Sequence, residues 1–274
     1  MAGDKSFLPF IMRGGFMIDI IKSQMNEYDI KYSLSVKRLD TGQEFNINEN
    51  EVVPSASTIK VFIMAEAIRQ MKEGIVKNER IKVSTKDYVP YSIISLLNPE
   101  NTYTMMDLIT LMIIQSDNTA TNVLIDILGM DKINAFIKSI ECNSTILERK
   151  MMDLDVRKRG LENKTTSKDL THFMELLYKG RIVDEKSSKT MIDIMKHQLD
   201  SSMMRYFIPE EIEVANKTGE LDGIDNDTGI VYLNKGDYIF TMMTRDAKSN
   251  NEARFAIAQV SKIVYEYFCK YMEG

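Results

Sequence analysis

The chain is poor in the residues that staple or metallate proteins. Only two of its 274 residues are cysteine, Cys142 and Cys269. Two thiols cannot build a disulfide framework or a four-cysteine zinc site, and both are expected to be reduced and buried. Histidine is equally scarce. His172 and His197 are the only two, and neither stands beside another ligand at metal spacing. No metal and no cofactor is expected, and a Ser-His-Asp triad would have to rest on one of two residues that read better as helix-face positions. No apolar run approaches the roughly 20 residues needed to span a bilayer, so no membrane partner is expected. Excess positive charge is missing too. Thirty-five Lys and Arg against 40 Asp and Glu leave a formal charge of -5, whereas proteins that grip nucleic acid by neutralising phosphates are more often basic. There is no internal repeat and no low-complexity linker. Met1 to Phe16 carries neither a sustained apolar core nor a small-residue cleavage site. As written the chain reads as cytoplasmic, and as exported if a leader was removed.

What is present is a soluble globular mixture, 44% hydrophobic and 27% charged. It is long enough to bury one large core or two smaller ones. Met17 to Tyr28 has Ile20, Ile21 and Met25 at helical spacing. Lys31 to Leu39 alternates, with Tyr32, Leu34 and Val36 facing one way, which reads as a half-buried strand. Asp40-Thr41-Gly42 is a turn, and Glu44 to Ile47 is the second arm of a hairpin. From Thr58 to about Leu199 the pattern is helical, with loops near 83–92, 98–103 and 150–166. Asp107 to Gln115 is apolar nearly all round, as in a buried helix. Strand signals return at Glu213 to Thr218, Gly229 to Leu233 and Tyr238 to Thr244. Asn251 to Met272 is an amphipathic helix with Ala256, Val260, Ile263, Val264 and Tyr267 on one stripe.

Strands at both ends with helices between them predict an α/β plus all-α fold. An antiparallel sheet, flanked by the N- and C-terminal helices, would carry an inserted helical domain. The expected division is 1–62 and 212–274 for the discontinuous α/β domain and 63–211 for the helical one, with a site between them.

Three short motifs carry chemistry. Ser57-Thr58-Ile59-Lys60 is the only S-x-x-K in the chain. Residues three apart share a helix face. A lysine amine made neutral by burial and nearby positive charge could take the serine proton. Ser116-Asp117-Asn118 separates two helical runs, and Lys217-Thr218-Gly219 ends a strand. Singly, each has a plain structural explanation: a capped helix start with an exposed lysine, a helix N-cap, a strand end with a glycine bend. Together, once each and in this order, they match the signature of class A β-lactamases and penicillin-binding proteins. The chain resembles this penicilloyl-serine transferase superfamily along most of its length.

The resemblance implies a role for each matching position. Ser57 is the expected nucleophile, Lys60 its base, and Ser116 a proton relay to the leaving nitrogen. Asn118 would hold Lys60 and the substrate amide. Lys217 and Thr218, with Gly219 beside them, would receive the substrate carboxylate. The backbone N–H groups of Ser57 and Glu220 would form the oxyanion hole. Asp117 is expected to brace its loop. Tyr91 falls where the family has an aromatic at the cleft mouth, although core packing would equally suit a tyrosine.

One position departs from the pattern. Class A enzymes carry a glutamate two residues after a loop arginine, and that glutamate activates the deacylating water. Arg149 matches the arginine, which puts Met151 at the glutamate position. Methionine cannot accept a proton. Asp153 and Asp155 are the candidate substitute bases, or else surface charges on a polar loop. The basic run Arg157-Lys158-Arg159 reads as a solvated loop face. The function implied is that of a β-lactam-hydrolysing serine enzyme with slow deacylation. The alternatives are a D-Ala-D-Ala carboxypeptidase or penicillin-binding protein, and a sensor that acylates and stops. The expected partner is a small-molecule β-lactam or a D-Ala-D-Ala peptide, and the expected state a monomer.

Overall fold

The computed structural model describes residues 10–271. Most of the segment read for a leader, and Met272 of the last expected helix, lie outside the described residues. The chain opens with α1 (Phe10–Met25), the hairpin β1 (Lys31–Arg38) and β2 (Glu44–Ile47), and the short β3 (Val53–Pro54). A 3₁₀ turn, Ala56–Ile59, leads into α2 (Lys60–Lys72). The two-residue strands β4 (Ile81–Lys82) and β5 (Thr102–Tyr103) pair ahead of α3 (Met105–Ile114), α4 (Asn118–Leu128) and α5 (Met130–Ser139). A long loop holding α6 (Leu154–Lys158) returns through β6 (Lys164–Thr165), which pairs with β3, into α7 (Ser167–Tyr178) and α8 (Glu185–Lys196). The strands β7 (Val214–Leu221), β8 (Ile224–Val231) and β9 (Tyr238–Arg245) complete an antiparallel sheet of order β2-β1-β9-β8-β7, and α9 (Asn250–Tyr271) follows.

Strand periodicity sorts the core. Leu34, Val36, Val214, Val231, Phe240 and Met242 turn toward α1 and α9, where Met17, Ile21, Val260 and Val264 meet them. Ala215, Ile230, Ile239 and Met243 turn the other way. On that side Phe173 of α7 packs on Phe62 of α2, ring centroids 4.8 Å apart. The helix α2 is buried along most of its length and packs against α3, α4, α5 and α8. The two apolar cores lie on opposite faces of the sheet. Met203, Met204 and Ile208 pack with α9, although they fall within 63–211.

Three readings of the sequence change. Ile20 faces outward, and the buried stripe of α1 is Met17, Ile21 and Met25. The strand β1 is buried on both faces, because α7 covers the side that carries Ser33 and Ser35. The strand read as ending at Gly219 runs on to Leu221, Asp222 and Gly223 make a two-residue turn, and β8 begins at Ile224, well before Gly229, with Asp225, Asn226 and Asp227 all buried. Their polarity hid the strand from a hydrophobic pattern. Among the described residues no helix is long and apolar enough to cross a membrane.

Candidate active site

Ser57 sits in the 3₁₀ turn between β3 and α2, directly after Ala56, whose φ of +47° lies in the left-handed region. That conformation is costly for a residue with a Cβ, and the turn is held from several sides. Thr58 Oγ1 donates to the Ser55 carbonyl at 2.6 Å. Asn226 Nδ2 donates to the Pro54 carbonyl at 3.0 Å. The edge strand β7 presses against the turn so closely that a Cβ at Gly219 would fall 2.7 Å from Ser57 N and 2.9 Å from Thr58 N. Gly219 is thus a residue of close approach.

Lys60, one turn on, is fully buried. Its Nζ donates to the Ser116 carbonyl at 2.8 Å and to Asn118 Oδ1 at 2.9 Å, and lies 3.1 Å from Ser116 Oγ. Burial holds its pKa well below the usual lysine range, the Lys217 charge lowers it further, and Asp117 partly opposes both. All three oxygens stand as acceptors for the Lys60 amine, so it is burial and the Lys217 charge, and not these hydrogen bonds, that favour its neutral form.

The Ser116 backbone is left-handed, with φ +57°. Asp117 caps α4 through the Ala120 N–H at 2.8 Å and also accepts from Ser92 Oγ, Ile93 N and Ile94 N. This buried carboxylate ties the 92–94 segment to the helix start. Asn118 Nδ2 donates to the Pro90 carbonyl at 3.1 Å, and its N–H to the Tyr91 carbonyl at 3.2 Å. Tyr91 itself is 80% exposed. Its side chain is at the surface and not in the core.

Lys217 is buried, with Nζ donating to the Thr218 carbonyl at 2.7 Å. Burial lowers its pKa to about 8, while Asp227 and Asp200 pull the other way. Asp227 lies opposite Thr218 on β8 and accepts from Asn216 Nδ2 and Met204 N, both at 3.0 Å. Burial pushes its pKa up to about 7.

The orientation of the Glu220 N–H follows from the ladder. Tyr232 N donates to Glu213 O, so the odd-numbered residues of this strand form the hydrogen-bonded pairs with β8. Alternation leaves Thr218 and Glu220 in the other class. Their N–H and C=O groups point to the open edge of β7, the edge that faces the Ser57 turn.

The loop after α5 is anchored by Asn122, Glu162 and Asn163, which the sequence reading did not single out. Asn122 Oδ1 accepts from Met151 N at 2.8 Å, and Asn122 Nδ2 donates to Met151 O at 3.0 Å. Asn122 stands four residues after Asn118 and so on the same helix face, a signal that was available. Arg149 is buried, pairs with Glu162 at 2.7 Å, and takes its backbone hold from Asn163 Oδ1 at 3.0 Å. Met151 is 7% exposed and packs into the helical core. Asp153 and Asp155 are turned to other tasks. Asp153 caps α6 through Val156 N at 3.0 Å. The Asp155 side chain is 90% exposed and pairs with Lys158. Neither carboxylate is joined to the cluster of Lys60, Ser116 and Asn118. His172 bonds the Ile140 carbonyl at 3.0 Å, and His197 ends α8. Among the described residues no group of three or more His, Cys, Asp or Glu side chains could hold a metal ion.

The chain is similar in sequence and fold to known proteins. The imipenem-hydrolyzing β-lactamase of Enterobacter cloacae is 27% identical over 262 residues, covering 91% of this chain and 88% of that protein. The crystal structure of a β-lactamase from Sphaerobacter thermophilus superposes with a TM-score of 0.85 at 25% identity, covering 91% of this chain and 95% of the other. A leucine-to-glutamate variant of PBP-A, solved as an acyl-enzyme complex with penicillin G, superposes with a TM-score of 0.84 at 26% identity, covering 96% and 98%. The model of the β-lactamase enzyme family matches residues 17–268, which takes in the Ser57 turn, the Lys60 cluster and the open edge of β7. The chain belongs to the β-lactamase enzyme family.

Proposed function

We propose that this chain is a serine-acylating β-lactam hydrolase whose acyl-enzyme is long-lived. The neutral amine of Lys60 takes the Ser57 proton as Oγ attacks the lactam carbonyl. The N–H groups of Ser57 and Glu220 receive the developing oxyanion, Ser116 passes a proton to the leaving nitrogen, and Lys217 with Thr218 holds the substrate carboxylate. Asn118, bonded to Lys60, fixes the amine and lies where a substrate amide would pass. Tyr91 lines the mouth.

The observation that carries the slow second step is Met151. Asn122 grips both its N–H and its carbonyl, so the backbone is pinned while the side chain offers no proton acceptor. A general base contributes roughly 10²–10⁴-fold to such a hydrolysis. Asp153 and Asp155 are engaged elsewhere, which supports the reading that neither takes its place.

The same observation favours a second reading, a D-Ala-D-Ala peptidase or a penicillin-binding sensor, in which a lasting penicillin adduct is the normal outcome. Likeness to PBP-A, as well as to enzymes named as β-lactamases, supports keeping it. Burst kinetics with a chromogenic β-lactam test the proposal. Wild type gives a stoichiometric burst and then slow turnover, Ser57→Ala gives neither, and Met151→Glu shortens the adduct lifetime by at least about tenfold. Rapid turnover without a burst, or a Met151→Glu adduct as durable as before, overturns it. Release of D-alanine from a D-Ala-D-Ala peptide by wild type marks the peptidase reading.

A further inference from the structure

The end of β7 contains an arrangement that ought to push itself apart. Glu220 and Asp225 are directly opposed across the β7–β8 ladder, in one of the non-hydrogen-bonded pairs where side chains stand closest. Like charges so placed are destabilising. Asp225 is fully buried, and burial raises its pKa to about 6.

One residue spans the two carboxylates. Arg254, in the second turn of α9, bonds Asp225 Oδ1 through Nε at 3.2 Å and Glu220 Oε2 through Nη2. Asn250, one turn earlier on the same helix, donates to Asp225 Oδ2 at 2.7 Å and to the Leu221 carbonyl at 2.8 Å, and accepts from Gly223 N at 3.2 Å. Thr244 Oγ1 on β9 accepts the Asp225 N–H at 3.0 Å. Asp200, in the loop after α8, adds a further negative field at Arg254. The helix start thus clasps the hairpin whose first strand carries the Glu220 N–H.

We propose that Arg254 is a positioning residue for the oxyanion donor: by bridging Glu220 and Asp225 it holds the end of β7 in register, so that the Glu220 N–H keeps its aim at the Ser57 turn. This rests on the reading of Ser57 and Glu220 as the oxyanion hole. Arg254 acts through the strand and touches no reacting atom. Its planar fork suits it to two carboxylates at once, which a lysine cannot match.

The test is stopped-flow acylation by a penicillin, resolved into a pre-covalent dissociation constant and an acylation rate constant. Arg254→Ala lowers the rate constant at least about tenfold, part of what a lost oxyanion donor costs, and leaves the dissociation constant within about twofold. Arg254→Lys falls between. Adding Asp225→Asn to Arg254→Ala removes one of the two facing charges and returns the rate to within about threefold of wild type. An unchanged rate in Arg254→Ala overturns the proposal. So does a loss confined to the dissociation constant, which marks Arg254 as a substrate contact, and so does failure of the second substitution to rescue. Amide hydrogen exchange over residues 217–226 gives a readout independent of β-lactam chemistry. It accelerates in Arg254→Ala and recovers in the double variant, and equal exchange in all three proteins overturns the proposal. Should wild type take no β-lactam at all, the acylation reading fails and the exchange result alone decides the role of Arg254.

Discussion

Lys60 and Lys217 are both fully buried lysines, and the proposed mechanism asks opposite protonation states of them. At Lys60, burial and then the charge of Lys217 favour the neutral amine, against the pull of Asp117. Lys217 has Asp227 and Asp200 behind it, which retain enough proton affinity to keep its pKa at about 8. The proposed mechanism needs Lys60 neutral and Lys217 charged. The acylation rate should therefore climb as pH rises through the depressed Lys60 pKa and fall again near pH 8, as Lys217 loses its proton. Lys217→Arg, which cannot deprotonate, should keep partial acylation and move the alkaline limb upward. Lys60→Arg should abolish acylation. A pH–rate profile of the two variants checks this, and equal residual rates would contradict the division of labour. The sequence made both lysines legible, because each lies within a short motif. Their electrostatic partners were not legible: Asp227 comes from the next strand, and its polarity disguised the strand it belongs to.

At the scale of elements, the site is made where a strand edge meets a turn. Gly219→Ala should cost roughly 1–3 kcal/mol in urea denaturation, as overpacking does, and should reduce acylation more than stability, since the atoms it strikes are Ser57 N and Thr58 N. Acylation at the wild-type rate would contradict the close approach. Asn122→Ala should free the backbone of residue 151, cost about 2 kcal/mol for the two amide bonds left unmet, and speed proteolysis within residues 149–163. Helices and most strands were readable from periodicity and β-formers, since each buries a regular face. The clamps were not. Asn122 on residue 151, Asn226 on Pro54 and Arg254 on Glu220 each join segments far apart in sequence, and a pattern of neighbours carries no trace of such pairs.

For the whole molecule, the sheet separates two apolar cores, and the polar groups on β7 and β8 lie between them. Asp227 makes this placement measurable. Its folded pKa of about 7 stands above the usual 3.8, so the folded state holds the proton more tightly. The stability this group contributes is full below about pH 3.8 and is lost as pH rises toward 7. Asp227→Asn should therefore gain stability relative to wild type at pH 8 compared with pH 5, read from urea midpoints at the two values. A difference independent of pH would contradict the shift. The order of strands and helices showed this two-sided architecture in the sequence. The line along which the cores divide was not readable there, because α7 and the segment around Met204 pack on opposite faces of the sheet from within one stretch of chain.

The most direct measurement is intact-mass spectrometry of the wild-type chain during incubation with a penicillin, followed by peptide mapping. The expected result is a single adduct of the penicillin's mass, located on the peptide that contains Ser57, which forms quickly and outlasts many minutes of chase. No adduct, an adduct on another residue, or an adduct that vanishes as fast as it forms would contradict it.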